Sequence, residues 1–294
     1  QSYFGHDDFI FYKHRSGITP EGNTLSVDLL WRPATDPEKL RMEKVGKKID
    51  LDNLARHLFS FLFCGTSDWY QGVAVLDTSK PGSKIFWINW DMDQSFIWNV
   101  FSSKISMTEW RQRGWGLVYR ADSAEKSLDV RLKLFSRLMH EDPTYKKYVL
   151  TLYRDLLNHR LNAHFANERI HYYKDMLENY GKKDTKYMKM LTEFMKKRSE
   201  MVRKETEKVF NLGPSLLCRV TGPEDIRYEI DGYDEPSDYQ GYYFKGSRIR
   251  VGITGAHHKQ LSHWLVNGEQ VDRPKLDLEV RENLIIEPFF EGHE

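Results

Sequence analysis

Apolar residues recur at helical spacing through the middle of the chain. The clearest run extends from Leu51 to Leu62, follows Asp50, which is suited to cap a first turn, and stops before Gly65. Residues 51–211 are therefore expected to be mainly helical. The same spacing predicts four further helices, near residues 127–140, 143–164, 167–179 and 184–210.

Two short apolar runs within this helical region predict a β-hairpin. Val73–Leu76 and Lys84–Trp90 flank a turn at Ser79–Ser83. A further strand is predicted at Phe9–Tyr12, inside the polar, loop-rich segment of residues 1–50. The hairpin is expected to lie at the centre of the helical domain.

The pattern changes to β after Asn211–Pro214, which combines a helix stop with a breaker. Arg248–Ile253 and Leu276–Val280 alternate with period two, and His263–Gly268 enters an Asn-Gly turn. We predict an α+β chain, in which a helix-rich domain over 51–211 is followed by a small all-β domain over 216–294.

Composition narrows the class of protein. Lys and Arg total 44 against 43 for Asp and Glu, so net charge gives no reason to expect nucleic acid as a partner. The 294 residues include 16 Tyr, 16 Phe and 8 Trp, which argues against disorder. No apolar run approaches the ~18 residues of a membrane span. Cys64 and Cys218 lack metal-binding spacing and are expected to be buried free thiols.

Two carboxylates follow directly after the second hairpin strand. Asp91 and Asp93 stand at alternate positions in Trp90-Asp91-Met92-Asp93-Gln94. If the chain stays extended, both side chains point to one side and are able to share a divalent cation. The alternative is a pair of acids on a solvated turn.

The loop that joins the first helix to the hairpin carries a second set of polar residues. Asp68 lies between Ser67 and Trp69, and Gln71 follows shortly before the next strand. Loops held between rigid elements are frequent positions for catalytic groups. If the strands pair, Asp68 and Gln71 converge with the two acids described above; the alternative for Asp68 is a turn or helix-terminus aspartate.

Together these stretches resemble the CotH family of spore-coat and surface proteins, whose characterised members are atypical, secretory-type protein kinases. The resemblance rests on the order of elements over residues 3–210 more than on any single motif. The residues that carry it are Asp50-Leu51-Asp52-Asn53-Leu54, Ser67-Asp68-Trp69, Trp90-Asp91-Met92-Asp93-Gln94-Ser95-Phe96, Leu134–Leu138, Pro143–Tyr148 and Phe194–Arg198.

The resemblance implies ATP and Mg²⁺ as cofactors and assigns a role to each candidate residue. Asp68 corresponds to the catalytic aspartate that takes the proton of the acceptor hydroxyl. Asp91 corresponds to the aspartate that holds Mg²⁺ against the nucleotide phosphates. Gln71 stands near the family's loop asparagine, a second metal ligand, and Asp93 corresponds to an outer metal ligand or a structural acid.

The resemblance also implies a kinase-like C-lobe, a Ser/Thr acceptor on a surface or coat protein, and a secreted or cell-surface location. Residues 1–50 are expected to continue a lost or separate N-terminal lobe, because the family's phosphate-binding lysine lies upstream. Lys13 is the nearest candidate within the chain. No glycine-rich phosphate loop of the GxGxxG or Walker type is present in the sequence.

Two other functions are compatible with the same residues. The first is a non-catalytic surface or coat scaffold that binds partners, including glycans, through its aromatic residues and β domain. The second is a carbohydrate-active hydrolase that uses Asp68 with Asp91 or Asp93 as its acid pair. His57 is interpreted as a packing residue, and His257, His258 and His263 lack an acidic or cysteine partner for a metal.

Overall fold

The computed structural model describes residues 9–14, 38, 40–65, 72–89, 130–179, 185–255 and 261–290. It contains both helices and sheets, which confirms the α+β class. The chain divides into two compact units, residues 1–150 and 151–294.

The first unit contains a three-stranded antiparallel sheet. Its strands are β1 (Phe9–His14), β2 (Gly72–Asp77) and β3 (Phe86–Ile88), in the order β1-β2-β3. Strands β2 and β3 form the predicted hairpin, and the predicted strand near Phe9 pairs with β2 along its whole length.

Helix α2 (Leu51–Cys64) lies beside β3 and begins and ends where the sequence predicts. It follows the short helix α1 (Met42–Val45). The side chain of Asp50 accepts a hydrogen bond from the backbone N–H of Asn53 at 2.9 Å, which is an N-cap. Gly65 ends the helix at φ 60°, a left-handed conformation that glycine adopts without steric cost.

Helix α3 (Val130–Glu141) and the part of helix α4 (Pro143–Asp155) up to Leu150 complete the helical part of the first unit. The rings of Phe135 and Tyr145 meet edge to face with centroids 6.1 Å apart, and both residues are fully buried. The side chain of Asp142 accepts backbone N–H groups of Thr144 and Tyr145, and thereby caps the start of α4.

The structure corrects the predicted helix over 143–164. The α-helix ends at Asp155 and continues as a π-helical turn, Leu156–Arg160, before helix α5 (Ala163–Asn179) begins. A π-turn inserts an extra residue into the helical ladder, and hydrophobic spacing does not reveal it. Helix α6 (Thr185–Phe210) follows.

The β part of the second unit consists of two sheets around one apolar core. The five-stranded sheet has the order β10-β9-β12-β4-β7, and the four-stranded sheet has the order β11-β8-β5-β6. The strands are β4 (Leu216–Thr221), β5 (Tyr228–Ile230), β6 (Tyr233–Glu235), β7 (Asp238–Tyr243), β8 (Arg248–Ile253), β9 (Leu261–Val266), β10 (Glu269–Val271), β11 (Leu276–Glu279) and β12 (Leu284–Phe290).

The core and turns of these sheets follow from local sequence. Trp264 is fully buried in the core that both sheets share. The predicted Asn-Gly turn joins β9 to β10, with positive φ at Asn267 and Gly268, as a two-residue hairpin requires.

The change from helix to strand falls between Phe210 and Leu216, as predicted. The predicted domain limits, at residues 211 and 216, stay a prediction. The second compact unit begins at residue 151 and contains helical residues as well as the β strands. None of the helices within the described ranges combines the length and the apolar character required to cross a lipid bilayer.

The N-cap of α2 provides a test of this fold. Replacing Asp50 with Ala removes the acceptor for the N–H of Asn53, so the free energy of unfolding should fall by about 1 kcal/mol. Urea unfolding followed by circular dichroism measures the change. Asp50→Asn retains a capping oxygen and should stay close to the wild type; equal losses in both variants would contradict the capping role.

Candidate functional site

The four predicted site residues, Asp68, Gln71, Asp91 and Asp93, lie outside the described residues. Their roles and their convergence therefore stay predictions. What the structure describes is the scaffold on either side of them, which ends at Gly65, resumes at Gly72 and ends again at Asn89.

The hairpin register brings both flanks of the predicted site to one end of the sheet. Val73 pairs with Ile88, so the start of β2 and the end of β3 are adjacent. Asp68 precedes Gly72 by four residues and Asp91 follows Asn89 by two. The described residues nearest in sequence to these aspartates therefore stand side by side in the sheet.

Lys13, the lysine of this chain nearest to the family's upstream phosphate-binding lysine, is placed in the same row of the sheet. It pairs with Val73, which pairs in turn with Ile88. The register thus puts Lys13 on β1 at the end of the sheet where the chain leaves toward Asp68 and Asp91.

Helix α2 is joined to strand β3 by a side-chain amide. Asn53 accepts the N–H of Trp87 at 2.6 Å and donates to its carbonyl oxygen at 3.0 Å. These two bonds satisfy the backbone N–H and C=O of Trp87 at the outer edge of β3, in the way that a neighbouring strand would. The main chain extends this pairing, because Asp50 donates to the carbonyl of Ile85 at 2.8 Å.

A second polar contact, one helical turn later, holds Asn89, the residue that precedes Trp90-Asp91-Met92-Asp93. Nδ1 of His57 lies 2.8 Å from Oδ1 of Asn89, and Nε2 of His57 lies 2.9 Å from Nη1 of Arg131. A guanidinium has no acceptor, so Nε2 accepts, and the ring proton is on Nδ1 and is donated to Asn89.

This cluster is buried within the first unit. Arg131 is fully buried and His57 is 3% exposed. Phe61 lies edge-on to the imidazole at 4.7 Å and under the guanidinium at 5.7 Å, and Trp87 is stacked with the imidazole. Buried charge persists only where hydrogen bonds compensate its desolvation, so the contact with His57 helps to hold Arg131 on α3.

His57 is thus a packing and positioning residue, as its place on an apolar helix indicates. Arg131 was missed in the sequence. Its signal is its spacing, since position 131 shares the buried face of α3 with Leu134, Phe135 and Leu138. A charge at a core position indicates a buried partner, although the sequence does not identify which one.

Removing the imidazole should destabilise the first unit. His57→Ala takes an acceptor from a buried guanidinium and a donor from Asn89, so we expect a loss of about 2–3 kcal/mol in the free energy of unfolding. Urea unfolding provides the measurement. Ser60→Ala is the matched control, because Ser60 contacts the same Asn89 oxygen at 3.0 Å from a half-buried position and has no contact with Arg131 among its hydrogen bonds; a loss equal to that of His57→Ala would contradict the role of His57.

The second unit holds a different charged cluster, around His159 on the π-helical turn. Nδ1 of His159 lies 2.8 Å from Oε1 of Glu235, and Nε2 lies 3.9 Å from Oδ2 of Asp231. Arg154 contacts Oδ1 of Asp155 through Nε at 2.7 Å and Nη2 at 2.5 Å, and its Nη2 lies 3.7 Å from Oδ2 of Asp231.

Burial and charge shift the pKa values in this cluster. Burial acts to lower the pKa of His159, but the carboxylates of Asp231 and Glu235 outweigh it, and the pKa is raised. Burial acts to raise the pKa of Asp231, yet its interactions with His159 and Arg154 lower it. Burial raises the pKa of Asp155 in spite of Arg154.

The raised pKa of His159 predicts a pH dependence of stability. The native state binds more protons than the unfolded state above pH 6.5, the ordinary value for His, so the free energy of unfolding should fall as pH rises through the folded pKa. Thermal unfolding between pH 6 and 9 in a metal chelator, with matched ionic strength, tests this. His159→Gln should flatten the dependence; a flat wild-type profile would refute the assignment.

Among the described residues, Asp155, His159 and Asp231 form a group suited to hold a metal ion. The sequence analysis did not identify it. Asp155 and His159 are four residues apart on a helical segment, which is a weak signal, and Asp231 is distant in the chain.

Comparison with known proteins gives one match. The family model described as "CotH kinase protein" matches residues 27–210. It therefore includes all four predicted site residues and ends at the last residue of α6. No curated protein and no solved structure matches the chain.

Proposed function

The chain belongs to the CotH kinase family, and we propose on that premise that it is an atypical protein kinase. In this proposal it transfers the γ-phosphoryl group of ATP, with Mg²⁺, to a Ser or Thr hydroxyl of a surface or coat protein. The family relationship supports ATP and metal use in general, and the assignment of each step to a residue is our own.

The observation that carries the proposal is the anchoring of both candidate segments at one end of the hairpin. Val73 and Ile88 are paired neighbours, and Asp68 and Asp91 are four and two residues from the adjacent ends of the strands. Phosphoryl transfer depends on positioning and electrostatic stabilisation, so the catalytic acid and the metal-binding acid must lie close together. The hairpin register supplies a scaffold that allows this.

The side chains of the candidate set fit a magnesium site by their chemistry. Asp91, Asp93 and Gln71 offer only oxygen ligands, which Mg²⁺ prefers. When bound, Mg²⁺ supplies positive charge that neutralises the phosphate oxygens. Asp68 orients the acceptor hydroxyl and takes its proton, and Asp91 holds the nucleotide in register with that hydroxyl.

The element order also supports a kinase-like C-lobe. Helix α2 leads into the segment with Asp68, the β2–β3 hairpin follows, and the segment with Asp91 comes directly after it. The hydrogen bond between the side chains of His57 and Asn89 holds the chain two residues before Asp91. Lys13 lies in the same row of the sheet, and we propose it as a cation for the nucleotide phosphates.

The cellular location and the binding partner are part of the same proposal. Family membership leads us to propose a secreted or cell-surface location and a protein partner. Tyr172, Tyr173 and Tyr242 are exposed aromatic residues, which are suited to contact a protein or a glycan.

ATP binding is the first test. At ~100-fold excess over Kd, ATP with Mg²⁺ should stabilise the native chain by ~2.7 kcal/mol, seen as a rise in the thermal midpoint. Asp91→Ala should abolish the Mg²⁺-dependent part of this rise. Asp238→Asn is the matched control, because Asp238 is an exposed aspartate at the start of β7, and this variant should respond as the wild type does.

Turnover separates catalysis from binding. Asp68→Asn should retain the Mg²⁺-dependent stabilisation and lose transfer of labelled phosphate from ATP to protein, because only the proton acceptor is removed. Absence of any stabilisation by ATP and Mg²⁺ in the wild type would overturn the kinase proposal and favour the non-catalytic scaffold. Equal activity of Asp68→Asn and the wild type would overturn the role of Asp68.

A further inference from the structure

We propose that Asp155, His159 and Asp231 form a binding site for one divalent transition-metal ion, of the zinc class, in the second unit. One ligand atom from each side chain lies within 4.8 Å of the other two. The site is separate from the candidate residues for phosphoryl transfer, so it stands whether or not the chain is a kinase.

The strongest indication is the unpartnered nitrogen of His159. Its side chain has no exposed surface, and Nε2 makes no hydrogen bond with any described residue. The nearest carboxylate oxygen, Oδ2 of Asp231, is 3.9 Å away, which is beyond hydrogen-bond distance. A buried polar atom without a hydrogen bond requires an explanation, and a bound ion provides one.

The rest of the imidazole is held in the way that metal-binding histidines are held. Nδ1 faces Oε1 of Glu235 at 2.8 Å, which leaves Nε2 for the ion. The ring is stacked between Tyr233, with centroids 4.3 Å apart, and Tyr239, at 5.3 Å. The orientation of Nε2 is therefore fixed before any ion binds.

Both carboxylates are anchored by neighbours and retain capacity for a further ligand. Arg154 makes both of its contacts with Asp155 at Oδ1, so Oδ2 of Asp155 remains for the ion within the described structure. Oδ1 of Asp231 accepts the N–H of Arg250 at 3.0 Å, and Oδ2 accepts the hydroxyl of Tyr243 at 2.7 Å. A carboxylate oxygen has two lone pairs, so Oδ2 of Asp231 is able to accept a hydrogen bond and bind a metal at once.

The backbone and the distances are compatible with zinc. Asp155 directly precedes the π-helical turn and His159 lies within it, and such turns are frequent at functional sites. Tetrahedral zinc with bonds of ~2.0–2.1 Å holds its ligands roughly 3.4 Å apart. The separation of 3.9 Å between Nε2 and Oδ2 needs to contract only slightly.

Charge favours a dication over a proton. Asp155, Asp231 and Glu235 carry three negative charges, and Arg154 offsets one of them. Protonation of His159 leaves one negative charge uncompensated, whereas a divalent ion beside a neutral imidazole leaves none. Uncompensated buried charge is costly, so the ion completes the cluster.

The imidazole nitrogen indicates the class of metal. Mg²⁺ and Ca²⁺ bind through oxygen alone, whereas imidazole suits zinc, nickel and copper. Zn²⁺ is therefore the probe, with Mg²⁺ as the ion that should not compete for the site.

Calorimetric titration of the metal-free full chain with Zn²⁺ tests the proposal. We expect one ion per chain. His159→Gln should remove this binding. Glu235→Gln keeps an acceptor for Nδ1 and should weaken it ~10–100-fold, as expected of a group that orients a ligand.

Two further variants keep the test decisive. Asp155→Asn retains an oxygen toward Arg154 and keeps the size of the side chain, so it should fold and bind Zn²⁺ at least ~10-fold more weakly. Co²⁺ provides an optical signal, and its visible absorption should disappear in His159→Gln but persist in the double variant His257→Gln/His258→Gln.

The opposite result overturns the site. Absence of stoichiometric Zn²⁺ binding by the wild type would make the cluster a salt-bridge network alone. Binding that survives His159→Gln and disappears in the double variant would place the ion at His257 and His258 instead. Circular dichroism of each variant establishes that it is folded before its binding is compared.

Discussion

The fold of the first unit depends on a match between the repeat of a helix and the repeat of a strand. Asn53 and His57 are four residues apart on α2 and bond to Trp87 and Asn89, which are two residues apart at the end of β3. Four helical residues advance ~6 Å, and two strand residues advance ~6.6 Å, so both contacts form without distortion. Helix and strand therefore run in the same direction, and the direction of the chain as it leaves β3 toward Asp91 is set by buried hydrogen bonds.

The same solution occurs in the second unit with different residues. Asn158 donates to the carbonyl of Tyr242 at 3.1 Å and accepts its N–H at 2.9 Å, which pairs the edge strand β7 as Asn53 pairs β3. A side-chain amide presents an N–H donor and a carbonyl acceptor side by side, so it pairs with both the C=O and the N–H of one strand residue. In each unit a histidine on the same helical segment then contacts the sheet, but His57 faces a guanidinium and His159 faces carboxylates. The two histidines therefore differ in the charge of the group that each one contacts.

Local physical chemistry explains which features the sequence could predict. Asp50, Gly65 and the Asn267-Gly268 turn act through neighbouring residues, and the structure confirms each of them. The π-helical turn at Leu156–Arg160 changes the register of a helix without changing its hydrophobic character, so the pattern predicted one helix to residue 164. The clusters of Arg131 and of His159 depend on partners 74 and 76 residues away in the chain, to which no local signal points. The proposed phosphoryl-transfer residues rest on the family motifs and the hairpin register, because they lie outside the described residues.

The family match ends inside the second compact unit. Buried polar contacts in that unit join residues on either side of this limit. The match ends at Phe210, whereas the partners of Arg154, Asn158 and His159 lie on β6, β7 and β8. A chain cut at residue 210 would keep those three side chains and lose Arg248, Tyr242 and Glu235, which satisfy them. Groups that lose their partners must be hydrated again or stay unsatisfied, so the helical segment after residue 150 requires the β strands for its stability. The β part is thus a structural component of the same compact unit as α5 and α6, the last helices within the family match.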